Sequence, residues 1–324
     1  MTSRPLLPSV IAALLLLLTA NVFMAVWRQR LPYYRKLEYI REAQDANLFF
    51  IGNSLLDGRV DALEIEQAGA QRGVRLAPLN GALGATQPPE HLLLFDYSTR
   101  CHPGMRMLVL GVFDFQLSGL DLARPADLIG NRVLGVDSRF TFSEVVSVYR
   151  FGPLQQAEFE GMRVFPMIAY RTNAWKDTEL LRRKMETMGM PQERSNGMGK
   201  VNDFNELEAG SVESFDAQAG TFLAHPAFNA SYETMFGKAR RAGMKAVIVV
   251  MPMSPAHRQR YYARPAWLEY LQGVRILAKD GGIEVIDASG WMPAESDFVD
   301  RVHMSESAVH KFSARIGAIL SEEF

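Results

Sequence analysis

The chain is predicted to be an α/β protein, a three-layer sandwich around a five-stranded parallel sheet, with a transmembrane helix at its N-terminus. Three observations lead there. Five short apolar runs alternate with segments of helical spacing, the pattern of strands buried on both faces and joined by helical crossovers. Turn residues fall at the ends of three of those runs, in Gly52-Asn53-Ser54, Gly111-Val112-Phe113-Asp114 and Met251-Pro252, which marks strand ends. Residues 6–27 contain no charged side chain and are rich in Leu, Ala and Val, long enough to cross a bilayer as a helix.

The elements follow in order. The span at 6–27 is read as an uncleaved anchor. A cleaved signal peptide is the alternative, but Thr19-Ala20 is a poor cleavage site and the apolar run continues to Trp27. Residues 28–46 are basic, then aromatic, then acidic, as in a juxtamembrane helix or stalk. Strands are expected at 47–52, 74–79, 106–112, 246–251 and 283–287, and helices at 60–72, 89–100, 266–279 and 306–320. In the last helix Ala308, Phe312, Ile316 and Leu320 share one face. Residues 47–324 would form one domain, interrupted by an insertion over about 115–228, far longer than one crossover needs. Helical spacing is visible within it at 142–149 and 177–188, while 190–220 is polar and reads as solvated surface or a substrate lid.

Composition narrows the function. The 324 residues are 48% hydrophobic and carry a net charge of -1. That describes a chain with a sizeable core and no general affinity for nucleic acid. A single cysteine, Cys101, excludes an internal disulfide. None of the six histidines has metal-ligand spacing with another, so no metal or cofactor is expected. A nucleotide-binding reading fails because no G-x-G-x-x-G follows a strand and no G-x-x-x-x-G-K-[ST] is present.

The residues that could carry chemistry lie at opposite ends of the chain. Ser54 follows the first apolar run within Gly52-Asn53-Ser54-Leu55-Leu56-Asp57-Gly58. A serine on a tight strand-to-helix turn presents its hydroxyl and its amide to one carbonyl group, but needs a base to take its proton. Alone, Ser54 reads better as the N-cap of the following helix. Asp300-Arg301-Val302-His303 stands just before the last helix. An aspartate three residues from a histidine can fix its tautomer within one loop. Ser305 follows as a candidate N-cap, and Asp297 is a competing carboxylate. His91, His102, His225, His257 and His310 read as structural or surface residues. Trp175, Trp267 and Trp291 read as packing rather than as the lining of a sugar or acyl pocket.

These segments resemble the conserved blocks of the SGNH (GDSL-type) serine hydrolases, whose fold is flavodoxin-like. The first runs from Gly52 to Gly58, with Asn53 where aspartate is commonest. Asn80-Gly81-Ala82-Leu83-Gly84-Ala85-Thr86 is similar to the second block, and Asp300 to His303 to the last, a D-x-x-H before the final helix. The resemblance implies Ser54 as nucleophile, His303 as base, Asp300 as its orienter, and the amides of Ser54 and Gly84 as oxyanion donors. Asn53, Asp57, Phe113 and Asp114 would be neighbours of the site. The third block departs from the pattern, because Gly111-Val112-Phe113-Asp114 stands where G-x-N-D is usual. Phenylalanine cannot donate a hydrogen bond, and loss of one oxyanion donor typically costs about 10²–10³ in rate.

Divergent, membrane-anchored members of that superfamily often lack the asparagine, and some resemble proteins that work with membrane O-acyltransferases on cell-envelope polysaccharides. The expectation is therefore an inner-membrane serine esterase or O-acyltransferase, its soluble domain periplasmic or extracellular, acting on acylated glycans or other acyl esters. The alternative is a degenerate partner that keeps the fold and binds glycan or an acyltransferase. Arg28, Arg30, Arg35 and Lys36 follow the span while only Arg4 precedes it. Read literally, that charge bias holds the C-terminal side in the cytoplasm, in tension with the expected location.

Overall fold

A computed structural model of the chain describes residues 6–118, 134–170 and 210–324. It divides into two compact units, Met1–Glu38 with Ala123–Gln192, and Tyr39–Leu122 with Glu193–Phe324. The helical segment expected at 177–188, Trp175 and most of the polar stretch at 190–220 lie outside the described residues.

The larger unit carries the parallel sheet: β1 (Leu48–Ile51), β2 (Pro78–Asn80), β3 (Met107–Val112), β4 (Lys245–Val250) and β5 (Glu284–Asp287), in the order β2-β1-β3-β4-β5. Every residue of β1 and β3 is buried, which is why these strands read as unbroken apolar runs. The second strand begins later than its sequence pattern suggests. Over the preceding residues the Asn47 side chain substitutes for ladder pairing, donating to the Arg75 carbonyl at 2.8 Å and accepting from the Ala77 amide at 2.8 Å.

Helices follow the strands. The first helices in chain order are α1 (Leu6–Trp27) and α2 (Pro32–Glu42), and the sheet's own begin with α3 (Ala62–Ala70) and α4 (Pro88–Cys101). Then come α5 (Phe142–Tyr149), α6 (Pro153–Val164), α7 (Gly210–Ala224), α8 (Ala230–Arg241), α9 (Pro265–Asp280) and α10 (Glu306–Glu322). From β1 the chain steps outward to β2, then back across to β3 and on to β4 and β5. With right-handed crossovers that reversal puts α3 on one face and α4, α8 and α9 on the other. The chain closes by laying α10 against α3, while α4 packs on α8 and α7 on α9. Substrates of open parallel sheets bind beyond the carboxyl ends of the strands where the order reverses. Here that point lies between β1 and β3.

Two glycines allow the backbone to close up there. A Cβ on Gly52 would stand 2.9 Å from the Gly111 carbonyl oxygen, and one on Gly111 would stand 2.3 Å from Leu56 Cδ1. Leu56, almost fully buried, therefore drops onto the end of β1 and β3 and pulls the Ser54 turn down over the sheet.

In the smaller unit, α1 joins a short 3₁₀ turn at Arg28–Arg30 and then α2. Pro8–Arg30 is long and apolar enough to cross a membrane. The cover of this unit is polar as well as apolar. The Tyr33 and Tyr170 hydroxyls lie 2.9 Å apart, Arg139 is ion-paired to Glu38, and its guanidinium lies 4.3 Å from the Tyr34 ring centroid. Burial first, and then Tyr170, raise the Tyr33 hydroxyl far above its ordinary pKa, so it stays protonated.

The α3–α10 contact is tight enough to test. A Cβ on Gly317 would lie 2.9 Å from Ile65 Cα and 3.1 Å from Ala68 Cβ. Gly317→Val is expected to force the two helices apart and cost about 1–3 kcal/mol, the usual penalty for overpacking. Thermal unfolding followed by circular dichroism should show a lowered midpoint, whereas Gly104→Val, where an added Cβ meets nothing within 4 Å, should not.

Candidate active site

Ser54 stands on the turn directly after β1. Asn53 builds that turn: its carbonyl accepts from the Leu56 amide at 3.1 Å and the Asp57 amide at 3.0 Å, and its side-chain oxygen accepts from the Leu55 amide at 3.0 Å. Its amide group reaches Gln116 Oε1 at 3.4 Å. The N-cap reading of Ser54 fails, because α3 is capped by Asp61, whose carboxylate accepts from the Leu63 and Glu64 amides at 2.9 and 3.3 Å. Ser54 is thus left with its hydroxyl at the sheet's edge, half-buried.

His303 and Asp300 come to it from the far end of the chain. Asp300 Oδ1 accepts from the backbone amides of Val302 and His303 at 2.9 and 2.8 Å, turning the loop back on itself. Its Oδ2 lies 2.7 Å from His303 Nδ1, and His303 Nε2 lies 3.0 Å from Ser54 Oγ. An ionised carboxylate accepts the Nδ1 proton, so the neutral ring offers Nε2 as a base to the serine hydroxyl. Burial works against the Asp300 charge, but the hydrogen bonds from the His303 ring and the two amides outweigh it and lower the carboxyl to about 2.

Neighbouring contacts brace both loops. Arg59 Nη1 donates to the Met304 carbonyl at 2.5 Å, tying the serine turn to the histidine loop. Val299 N–H donates to the His303 carbonyl at 2.9 Å, and Ser305 N–H to the Asp297 carbonyl at 2.8 Å. Asp297 is buried and paired with Lys311 at 3.0 Å, so the competing carboxylate has another partner. Ser305 occupies the N-cap position of α10, yet its side chain makes no capping bond.

The loop at 80–86 runs alongside. Gly81 N–H donates to Phe50 O at 2.9 Å, Leu83 N–H to Gly52 O at 3.2 Å, and the Asn80 amide group to Leu56 O at 2.8 Å. Gly84 stands near Ser54, since a Cβ there would be 3.9 Å from Ser54 Cβ. Its amide differs from the expectation: it donates to Asp57 Oδ2 at 2.9 Å. The Ser54 amide has no acceptor among the described residues. One of the two expected oxyanion donors is thus open and the other is held by a carboxylate. An aspartate three residues after a turn serine is ordinary in sequence, and nothing local foretells its reach across to the second loop.

At the end of β3, Phe113 is half-buried and Asp114 takes φ +44°, a left-handed conformation rare outside glycine. Asp114 is held there by residues the sequence reading passed over. Its amide donates to the Tyr262 hydroxyl at 3.0 Å, while its Oδ1 accepts from that hydroxyl at 2.9 Å and lies 3.0 Å from His257 Nε2. Burial, then the Asp114 charge, push the Tyr262 hydroxyl well above its usual pKa, which keeps it a donor. The one sequence signal was position: His257 lies just beyond the carboxyl end of β4. Three of the other histidines have structural partners, and His225 is exposed. His91 bridges Thr86 and Tyr232, each at 2.9 Å, and His102 reaches the Ile40 carbonyl. His310 pairs with Asp61 at 2.8 Å, and with Glu64 these form the described cluster that could hold a cation. Asp61 already caps α3 there. Trp267 is buried and stacked on Tyr262 at 3.9 Å, and Trp291 packs on Phe312.

The Asp300 carboxyl makes stability pH-dependent. Its folded pKa lies below its unfolded value of about 3.9, so its contribution is complete above about pH 4 and is lost as the pH falls through about 2. Thermal midpoints of the wild type and Asp300→Asn, measured across that window, should converge as the pH drops. A gap that persists unchanged to pH 2 would assign the difference to something other than this charge.

No protein-family profile matches the chain, and no curated protein sequence matches it. Among solved structures it is similar to a GDSL-like lipase from Bacteroides thetaiotaomicron VPI-5482, with 11% identity and a TM-score of 0.40, covering 90% of this chain and 98% of that one. It is likewise similar to the lipase/acylhydrolase from Enterococcus faecalis, with 11% identity and a TM-score of 0.41, covering 86% and 96%.

Proposed function

We propose that this chain is a membrane-anchored serine acyl hydrolase or O-acyltransferase of the SGNH type, acting on acyl esters of cell-envelope glycans. The observation that carries the reading is the continuous hydrogen-bonded line from Asp300 through His303 to Ser54, on the crevice between β1 and β3. The motifs that resemble the SGNH blocks support it, because the same residues meet at that line. The apolar helix Pro8–Arg30 supports the anchor.

In the first half-reaction Ser54 Oγ attacks the ester carbonyl while its proton passes to His303 Nε2. The imidazolium is stabilised by Asp300, and the Ser54 amide receives the oxyanion. Collapse of the tetrahedral intermediate breaks the ester C–O bond. The departing alkoxide takes the proton from His303, leaving an acyl-serine. In the second half-reaction His303 removes a proton from water, or from a sugar hydroxyl, as that oxygen attacks the acyl-serine. The acid or the new ester leaves, and the proton returns to Ser54.

A second reading rests on the Asp57 carboxylate at the Gly84 amide and on Phe113 in the third block. Both weaken an oxyanion hole, as in a partner protein that retains the fold but binds its ligand without turnover.

Two measurements separate these readings. A fluorophosphonate probe is expected to label the wild type on Ser54, and Ser54→Ala is expected to abolish labelling and esterase turnover. Asp300→Asn is expected to lower turnover by about 10⁴, because the histidine loses its fixed tautomer. If folded protein is not labelled while a control hydrolase is, and Ser54→Ala complements a deletion fully, the binding reading replaces the catalytic one.

A further inference from the structure

Asn21 is the one amide side chain on the apolar helix α1, and its partners are unusual: Thr19 bonds back to the Leu15 carbonyl of its own helix, whereas Asn21 does not. Asn21 lies seven residues before Arg28, about 10 Å along the helix axis at ~1.5 Å per residue. Within the span of Pro8–Arg30 that depth is inside the bilayer, where an unpaired amide is costly. Asn21 Nδ2 donates to the Val164 carbonyl at 3.2 Å, and its Oδ1 accepts from the Met167 amide at 3.3 Å.

Those two backbone groups need partners for a local reason. Helix α6 ends at Val164, Phe165 leaves helical geometry with ψ 78°, and a new helical turn starts at 166–170. In an unbroken helix the Val164 carbonyl would take the Ile168 amide. Here that amide goes to the Phe165 carbonyl at 2.9 Å instead. The Met167 amide stands at the start of the new turn, where intrahelical acceptors are missing. One asparagine therefore satisfies two of the groups that the break orphans. In water such a break would be solvated without help. In hydrocarbon every backbone group must find protein, and for these two the partner comes from within α1.

The remaining face of the segment is apolar and uncovered. Val164, Phe165 and Ile168 are 58%, 50% and 40% exposed, and on α1 Val22, Phe23 and Val26 are exposed too, whereas Met24 is buried. The exposed surface of 164–168 thus continues that of the helix meant for lipid. A depth of about 10 Å below the first arginine matches that of amphipathic helices embedded at the headgroup–acyl boundary, about 5–10 Å.

We propose that 164–168 is a second membrane-inserted element: a shallow wedge that places Val164, Phe165 and Ile168 among the acyl chains of the leaflet, docked to α1 through Asn21. The inference rests on the anchoring part of the functional reading and is independent of the chemistry at Ser54. It gives the smaller unit two points of contact with the bilayer, and so a defined seating in place of a swivel on one helix.

The test is site-directed spin labelling of the full chain in phosphatidylethanolamine–phosphatidylglycerol vesicles, after Cys101→Ser. Nitroxides at Phe165→Cys and Ile168→Cys are expected to relax severalfold more with oxygen than with a water-soluble nickel chelate. Glu158→Cys, on the exposed face of α6, should show the reverse, and Leu16→Cys should be the most lipid-buried. Adding Asn21→Leu should shift position 165 toward the aqueous reagent while leaving position 16 in lipid. Nickel accessibility at 165 and 168 equal to that at 158, with 16 still in lipid, overturns the wedge alone. Inaccessibility of 165 and 168 to both reagents overturns it in favour of a protein partner on that face. Aqueous exposure at 16 as well overturns the anchoring on which the wedge depends.

Discussion

The close approach of α3 and α10 is the constraint from which the site follows. Ser54 lies on the turn leading into α3, and His303 on the loop leading into α10. The contact is backbone-close because Gly317 meets Ile65 without a side chain between them. Asp61 N–H donates to Ser313 Oγ at 2.8 Å across the same seam, and Arg59 reaches the Met304 carbonyl at its end. Two residues separated by almost the whole chain are thereby held at one hydrogen bond's length. Rigid elements, not the loops alone, fix the distance on which general base catalysis depends.

Around that line the sheet's carboxyl edge concentrates polar groups in two histidine–carboxylate pairs, of which only His257 is buried. His303–Asp300 meets a serine hydroxyl. His257–Asp114 meets the hydroxyl of Tyr262, which burial and the adjacent carboxylate keep protonated. The second pair spends its bonding on holding Asp114 in a left-handed conformation, directly after Phe113, the position where the resemblance leads one to expect an oxyanion donor. The two pairs differ in what they face: a hydroxyl that can lose its proton to a neutral imidazole, and one whose proton stabilises a carboxylate. The Asp57–Gly84 contact adds a third carboxylate that takes an amide donor beside Ser54. The site therefore offers an imidazole to the serine hydroxyl, but only one of the two amides that the resemblance implies as oxyanion donors is open.

The smaller unit solves a separate problem, that of an amide side chain on an apolar helix and a helix broken beside it. Asn21 and the 164–167 backbone satisfy each other, and the apolar side chains around them point outward. The same unit buries the Tyr33–Tyr170 hydroxyl pair and the Arg139–Glu38 ion pair, each with an internal partner.

Sequence alone determined the architecture and the chemically capable residues. Strands buried on both faces must be apolar throughout, and amphipathic helices must show their period, so the five strands, their alternation with helices and the apolar N-terminal helix were all legible. Residue type and local spacing exposed the Asp300–His303 pair, because its geometry is set within one turn. Contacts over long sequence separation left no such trace. The diversion of the Gly84 amide to Asp57, the cluster of His257 and Tyr262 on Asp114, the delayed start of β2 beside Asn47, and the service of Asn21 to a break more than a hundred residues away were decided by tertiary packing. A hydrogen-bonding side chain has the same signature in sequence whether it meets water or another part of the protein, and only the fold determines which partner comes within reach.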